Sequence, residues 1–476
     1  MSNMGMYIAL TGIQADQAGM ASVSNDLANV NTPDYQRQRV NLSALGTGPV
    51  GNGVEVQSIQ GVSSSILDTQ AMATGASAAF SSAQATVLST AQSAFPEPSS
   101  AGIQAQLSSF WSSWDTLGNN PSNPAARQGV IEAAQLVSTS FDSASQKLLA
   151  QSQSVQSQIK TTVQNDQKLL SQVAQMNQSI PTAEATGNAA PLIDQRNQIV
   201  AQLASDLGVT TRTHQNGAMT VYLGGMSLVQ DANVAKVSSN SAGQVAVYAG
   251  SGGTQLMGTV AAGGTVGGLA AGLANISNFQ TQLGSVASDV ANVVNSQLTA
   301  PGKAYYYTQS GTTYTAHQGT YRLFNFAGGT AGTPFSLTLN SAVVANPTLI
   351  AAAGSSTTGP NDGTNAQAMA ELATTPTNTG PSGAVYAGGP QAGQLAPDGN
   401  YQIFIGALGS DVSSAQAAST AAANQAQAAT AAQQAVSGVD PNAEMARMLS
   451  FQNAYQASAK VLATINNTLQ SLMAAV

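Results

Sequence analysis

The 476-residue chain has no cysteine, which excludes disulfides, thiolate metal sites and cysteine nucleophiles together. Charge is also scarce: Asp, Glu, Lys and Arg make up 7% of the residues, against roughly 25% in ordinary soluble proteins. Ala, Ser, Gln, Thr, Asn and Gly fill the gap, so solubility rests on neutral polar groups. The balance of 13 Lys and Arg against 21 Asp and Glu leaves a net charge of −8. No basic residue lies between Arg322 and Arg447. Nucleic acid is therefore not expected as a partner, because it requires clustered cations.

Catalytic groupings are equally thin. His214 and His317 are the only histidines and stand apart, leaving little for a metal site or a Ser–His pair. Carboxylates are scattered singly, with no pair suited to glycoside hydrolysis. The Gly263–Gly268 run lacks the GxGxxG register and a following Lys, so it reads as a glycine turn. We expect a non-enzyme with no cofactor. Long hydrophobic runs are missing too, which argues against membrane insertion. The first basic residue is Arg37, so the N-terminal segment lacks the basic flank of a cleaved secretory signal.

What the chain does have is an amphipathic stretch at each end. Met6, Ile13, Met20 and Leu27 recur every seven residues, with Leu10 and Val23 beside them. Near the C-terminus Met448, Tyr455, Leu462 and Leu469 do the same, with Met445, Phe451, Ile465, Leu472 and Met473. A seven-residue apolar repeat gives a helix one seam that another helix must cover. The two ends are therefore expected to pair as a discontinuous domain, with everything else inserted between them.

Residues 3–30 read as one helix, closed by Pro33 and a turn at Pro33–Asp34. Val54 to Ile59 alternate as a strand does. Residues 67–205 read as mostly helical, with breaks at Phe95–Pro98, Asn119–Pro121 and Ile180–Pro181. Short β-branched runs separated by glycines follow over 206–262, then a helix over Val266–Leu298. Residues 300–409 read as β-rich, with strand candidates at Phe335–Leu339 and Tyr401–Ile405. The Ala- and Gln-rich 412–435 segment reads as helix. After a break at Ser437–Val439, Asp440 is a suitable N-cap and Pro441 a suitable first position for the terminal helix.

The expected fold is mainly α with a β-rich insertion. Terminal helices over 1–70 with 436–476 pair in a coiled-coil inner domain. A helical bundle takes 71–205, 263–300 and 410–435, and the β-rich outer region is 206–262 with 301–409. Trp111 and Trp114, three apart, belong to the bundle core. Asp194 and Arg196, two apart, do not face each other on a helix and serve as inter-helix caps or ion pairs. Asn29 and Asn31 bond backbone at the helix end.

Leu27 to Gln38, reading LANVNTPDYQRQ, resembles the N-terminal signature of flagellar axial proteins, and its Tyr-x-Arg-Gln continuation is similar to the hook-associated protein 1 family. Val436 to Asp440, Glu444 to Ala446 and Phe451 to Ala459 resemble that family's C-terminal signature. Interior segments resemble it as well: Leu107–Trp111 with Trp114, Leu117, Asn120–Pro121 and Ala126–Arg127; Leu192–Gln198; Gly224–Gly225 with Leu228–Val229; and Gly267–Leu269. Two departures stand out. Asp34 replaces the family's usual Gly, implying a different turn after the first helix, and the acidic cluster before the last helix is reduced to Asp440 and Glu444.

The resemblance implies a structural adaptor at the hook–filament junction of the bacterial flagellum. Its subunits would form a ring with copies of themselves, between the hook protein and a second, filament-side hook-associated protein. They would be secreted through the flagellar type III apparatus without a cleaved signal. An export chaperone would bind the apolar face of the C-terminal helix, in the helix-in-groove mode. In axial proteins the terminal segments are often disordered in the free subunit and fold on assembly. The expected assembly interface is Met6, Leu10, Ile13, Met20 and Leu27 opposite Met448, Phe451, Tyr455, Leu462 and Leu469. A rod or hook subunit shares both terminal patterns and is the alternative, which the Leu192–Gln198 segment argues against. A secreted enzyme would need a carboxylate constellation that is not apparent.

Overall fold

The computed structural model describes residues 2–32, 35–46, 51–185, 189–250, 252–329, 334–374 and 396–474. Pro33, Asp34 and the turn expected there lie outside these, as does 375–395 of the expected β-rich region. The chain opens with helix α1 (Ser2–Ala28), a hairpin of β1 (Gln38–Ala44) and β2 (Val54–Gly61), and four helices. These are α2 (Ser65–Gln92), α3 (Ile103–Asn119), α4 (Pro124–Ala185) and α5 (Ala190–Leu207). Seven short strands follow: β3 (Thr210–Thr213), β4 (Met219–Leu223), β5 (Met226–Gln230), β6 (Asn233–Val234), β7 (Lys236–Ser239), β8 (Val245–Tyr248) and β9 (Leu256–Val260). Helix α6 (Gly264–Leu298) leads to β10 (Tyr305–Ser310), β11 (Thr313–Gln318), β12 (Phe324–Ala327) and β13 (Ser336–Leu339). Helices α7 (Ser341–Ala345), α8 (Thr364–Glu371), α9 (Pro397–Ser437) and α10 (Pro441–Ala474) complete the order. The molecule is mainly α, with small antiparallel sheets and paired terminal helices.

Two compact units emerge, one of Met1–Ser82, Ile159–Gly268 and Ala418–Val476, the other of Ala83–Gln158 and Leu269–Ala417. In the first, polar side chains of α4 anchor the small sheets by their backbone. Asn177 accepts from the Met219 N–H at 2.9 Å and donates to the Met219 carbonyl at 2.8 Å. Gln167 accepts from the Val237 N–H at 2.7 Å. Arg196 does not pair with Asp194; its guanidinium donates to the Gly217 carbonyl at 2.5 Å. Helix side chains in this way satisfy sheet and turn backbone groups that the ladders leave without a partner.

The second unit has an aromatic core. Phe110, Trp114, Phe141, Phe324, Tyr401 and Phe404 are fully buried. Phe110 meets Phe324 at 5.7 Å and Phe95 meets Phe404 at 5.2 Å, both edge-on, the arrangement ring quadrupoles favour. Two of its polar side chains are bonded across the core: Trp111 Nε1 donates to Asp398 at 2.8 Å and the Tyr401 hydroxyl to Glu97 at 3.0 Å.

Two local expectations are corrected. Tyr401–Ile405 is not a strand but the opening of α9. Its buried residues include Tyr401, Phe404, Leu408, Val412 and Ala415, a helical spacing that outweighs the β-prone local composition. Pro181 does not break the chain either. It stands inside α4 four residues before the helix end, where the loss of one backbone donor interrupts little.

Candidate functional site: the paired terminal helices

Helices α1 and α10 lie against each other along their lengths. The closest approaches are set by glycine. A Cβ added at Gly5 would stand 3.1 Å from Ile465, at Gly12 3.1 Å from Ser458, and at Gly19 2.5–2.6 Å from the Phe451 ring. Gly5, Gly12 and Gly19 are seven apart, and so are Phe451, Ser458 and Ile465, in reverse order. The pair is therefore antiparallel, with one seven-residue step of α1 matching one of α10. Glycine in a helix interior costs about 1 kcal/mol relative to alanine. Three in register are accounted for by the backbone approach they permit.

The next step of each repeat is charged. Asp26 and Glu444 are both fully buried. The Asp26 carboxylate accepts the Tyr35 hydroxyl at 2.7 Å and the Gln38 N–H at 2.9 Å. Arg447 donates to Glu444 at 2.7 Å, and Arg37 stands 3.9 Å from the same oxygen. Arg37 also clasps the chain by its backbone. Its N–H donates to the Ser437 carbonyl at 2.8 Å, its carbonyl accepts the Val62 N–H at 2.7 Å, and its guanidinium donates to the Val436 carbonyl at 3.3 Å. Burial pushes the Asp26 carboxyl up, against the hydrogen bonds from Gln38 and Tyr35. Glu444 is raised by burial and by the Asp26 charge, against Arg447. Asp194, on α5, is pushed up to about 6 by burial and then by the Asp26 charge.

The hairpin covers another face of α1. Thr11 Oγ1 donates to the Ile8 carbonyl at 2.9 Å and accepts the Val54 N–H at 3.3 Å. Gly53, at φ +107°, sits against Thr11 and the Ile8 backbone, where a side chain has neither space nor an allowed conformation. At the other end Asp440 caps α10, accepting the Asn442 N–H at 2.9 Å, as expected of an N-cap. Asn29 donates to the Asn25 carbonyl at 2.9 Å.

The residues singled out from sequence fall into three groups. Phe451 sits on the seam over Gly19. Met448, Tyr455, Leu462 and Leu469 share its half-buried face of α10. On α1, Met6, Ile13, Met20 and Leu27 each follow a seam position by one residue and are half-buried, while Leu10 is 44% exposed. Met4, Tyr7, Met445, Leu449 and Val461 are exposed too. The glycine repeat and the Asp26–Tyr35–Arg37–Glu444 layer were not anticipated. The glycines were legible as a seven-residue repeat; the charged layer was not, because its members are far apart in sequence.

Among the described residues, no group of three or more His, Cys, Asp or Glu side chains is placed to hold a metal. No helix of the described residues is long and apolar enough to cross a membrane.

Comparison with known proteins bears on both the interior and the end. Residues 88–303 match the flagellar hook-associated protein FlgK helical domain, and residues 432–475 match the flagellar basal body rod FlgEFG protein C-terminal model. Flagellar hook-associated protein 1 of Bacillus subtilis (strain 168) is 30% identical over 227 residues, covering 45% of this chain and 45% of that protein. Its counterpart in Salmonella typhimurium is 29% identical over 240 residues, covering 48% of this chain and 43% of that one. The matched stretch thus spans about half the length of these curated relatives. The solved flagellar hook junction protein FlgK from Burkholderia pseudomallei shares the fold, with a TM-score of 0.60 at 20% identity over 79% of this chain and 100% of that one. The interior of the chain is thus similar to the helical domain of flagellar hook-associated protein 1, and its end to the C-terminal model of the basal body rod proteins.

Proposed function

We propose that the chain is a structural subunit of the bacterial flagellum at the hook–filament junction. It polymerises there into a ring through α1 and α10. The observation that carries this reading is the terminal helix pair: closed along a glycine seam, it still exposes Met4, Tyr7, Leu10, Met445, Leu449 and Val461. Burying apolar surface yields roughly 25 cal/mol per Å², and clustered exposed apolar side chains mark interaction sites. The match of residues 88–303 to the FlgK helical domain supports the same position in the flagellum.

In this reading Met6, Leu10, Ile13, Met20 and Leu27, with Met448, Tyr455, Leu462 and Leu469, join the helix pair to neighbouring copies. Hook protein lies on one side of the ring and a second hook-associated protein on the other. An export chaperone holds α10 before assembly, and the subunit leaves the cell by the flagellar type III route without a cleaved signal. The role is geometric, with no reaction catalysed.

A rod or hook subunit is the second reading, favoured by the rod-type match of residues 432–475. Electron microscopy of cells lacking the gene, with flagellin assayed in the medium, separates the two. Hooks without filaments and flagellin lost to the medium support the junction. Missing hooks support the rod or hook reading, and normal filaments contradict both.

A further inference from the structure

Away from the terminal helices, a cavity of about 430 Å³ opens between α4 and the β13–α7 segment, within the roughly 300–1,000 Å³ of ligand sites. One wall is the outer edge of β13, and the backbone bonding fixes what that edge presents. Phe324 of β12 uses its N–H at 3.1 Å and its carbonyl at 2.8 Å on Asn295. Leu337 of β13 gives its N–H to Asp142 at 2.9 Å. The facing pairs Phe324–Leu339 and Phe326–Leu337 are therefore the ones that exchange no bonds across the hairpin. The Leu337 carbonyl and the Leu339 N–H and carbonyl consequently point away from β12, along the cavity.

The opposite wall adds a second observation. Ser138 of α4 lines the cavity, is 2% exposed, and its hydroxyl is unpartnered among the described residues. A buried hydroxyl without a partner costs about 1–3 kcal/mol, and a backbone amide entering the cavity would remove that cost.

We infer that this cavity is a peptide-binding groove, in which an extended segment of a partner protein adds to the free edge of β13. Because Asp142 already takes the Leu337 N–H, the groups left on either side of Thr338 are the Leu337 carbonyl and the Leu339 N–H. One residue of a strand running parallel to β13 satisfies both, donating to the first and accepting from the second. Leu339, half-buried, and Val344, exposed, offer apolar contact to that segment. Asp142 is the one ionisable side chain in the lining, so the segment is neutral or basic.

Amide exchange on the full chain labelled with ¹⁵N-leucine tests this, using a capped hexapeptide of alternating Thr and Val with one Lys as the probe. In the free chain the Leu339 amide exchanges quickly while that of Leu337, held by Asp142, is slow. The probe slows Leu339 by roughly tenfold or more, and Val344→Trp, which fills the groove from an exposed position, cancels the effect. A Leu339 amide already protected in the free chain overturns the inference. So does one that the probe leaves unchanged at millimolar concentration, or one that the Val344→Trp chain protects as well.

Discussion

Gly19 lies directly beneath the ring of Phe451: a Cβ placed there would approach three ring atoms to 2.5–2.6 Å. At Gly12 the same addition comes closest to the Ser458 hydroxyl, at 3.1 Å. The two glycines therefore differ in how far they tolerate a methyl group. Gly19→Ala forces the ring aside at about 1–3 kcal/mol, which exceeds the roughly 1 kcal/mol gained in helix propensity. A net loss of about 1 kcal/mol is expected. Gly12→Ala needs only a hydroxyl rotation and is expected to be neutral or up to about 1 kcal/mol stabilising. Urea unfolding of each variant, followed by helical circular dichroism, measures the contrast.

The absence of native cysteine permits a direct check of register. The Cβ position at Gly12 stands 3.8 Å from the Ser458 Cβ, the mean separation in a disulfide of about 3.8 Å. Gly12→Cys combined with Ser458→Cys is expected to form an intramolecular disulfide under mild oxidation. Gly5→Cys with Ser458→Cys, one repeat out of register, is expected to remain reduced. Non-reducing mass spectrometry of the digested chain distinguishes the two.

Two residues between the terminal elements hold the charged layer. Removing the Tyr35 hydroxyl by Tyr35→Phe leaves Asp26 with only the Gln38 N–H and is expected to cost about 1–2 kcal/mol. Arg37→Gln lacks the guanidinium contacts to Glu444 and the Val436 carbonyl but retains the backbone clasp. A loss of similar size is expected, again read from denaturant midpoints.

Asp166, on α4, is fully buried beside the Asp206 carboxylate. Burial and the neighbouring Asp206 charge push it up to about 8. A carboxyl raised on folding stabilises the fold fully below its unfolded value of 3.8, and that contribution is lost as pH rises through about 8. The melting temperature is therefore expected to fall between about pH 4 and pH 8 and to level off above that. Asp166→Asn is expected to flatten that fall, with a gain of about 1–3 kcal/mol at the alkaline end. Thermal scans across the pH series provide the comparison.

Much of this was legible from local pattern. The terminal helices, the break at Ser437–Val439, the Asp440 cap and the Trp114 core position all follow from periodicity or capping chemistry that acts over a few residues. The seam was harder to read. Attention to large apolar residues picked out Met6, Ile13, Met20 and Leu27, whereas the closest contacts belong to the glycines one position earlier. Tyr401–Ile405 was misread because five residues rich in β-formers do not reveal that Leu408, Val412 and Ala415 continue the same buried face. The Asp26–Glu444 layer joins residues at opposite ends of the chain, and only the fold brings them together.

The central claim is that the apolar residues left outside the closed helix pair are the assembly surface. Met445 and Leu449 are each 56% exposed, so charging them leaves the fold intact. Cells lacking the gene, complemented with the Met445→Asp, Leu449→Asp double variant, provide the most direct measurement: electron microscopy of the flagella with an immunoblot of the medium. The account predicts hooks without filaments, with the variant exported and soluble in the medium. Filaments of normal number and length on the same cells would contradict it.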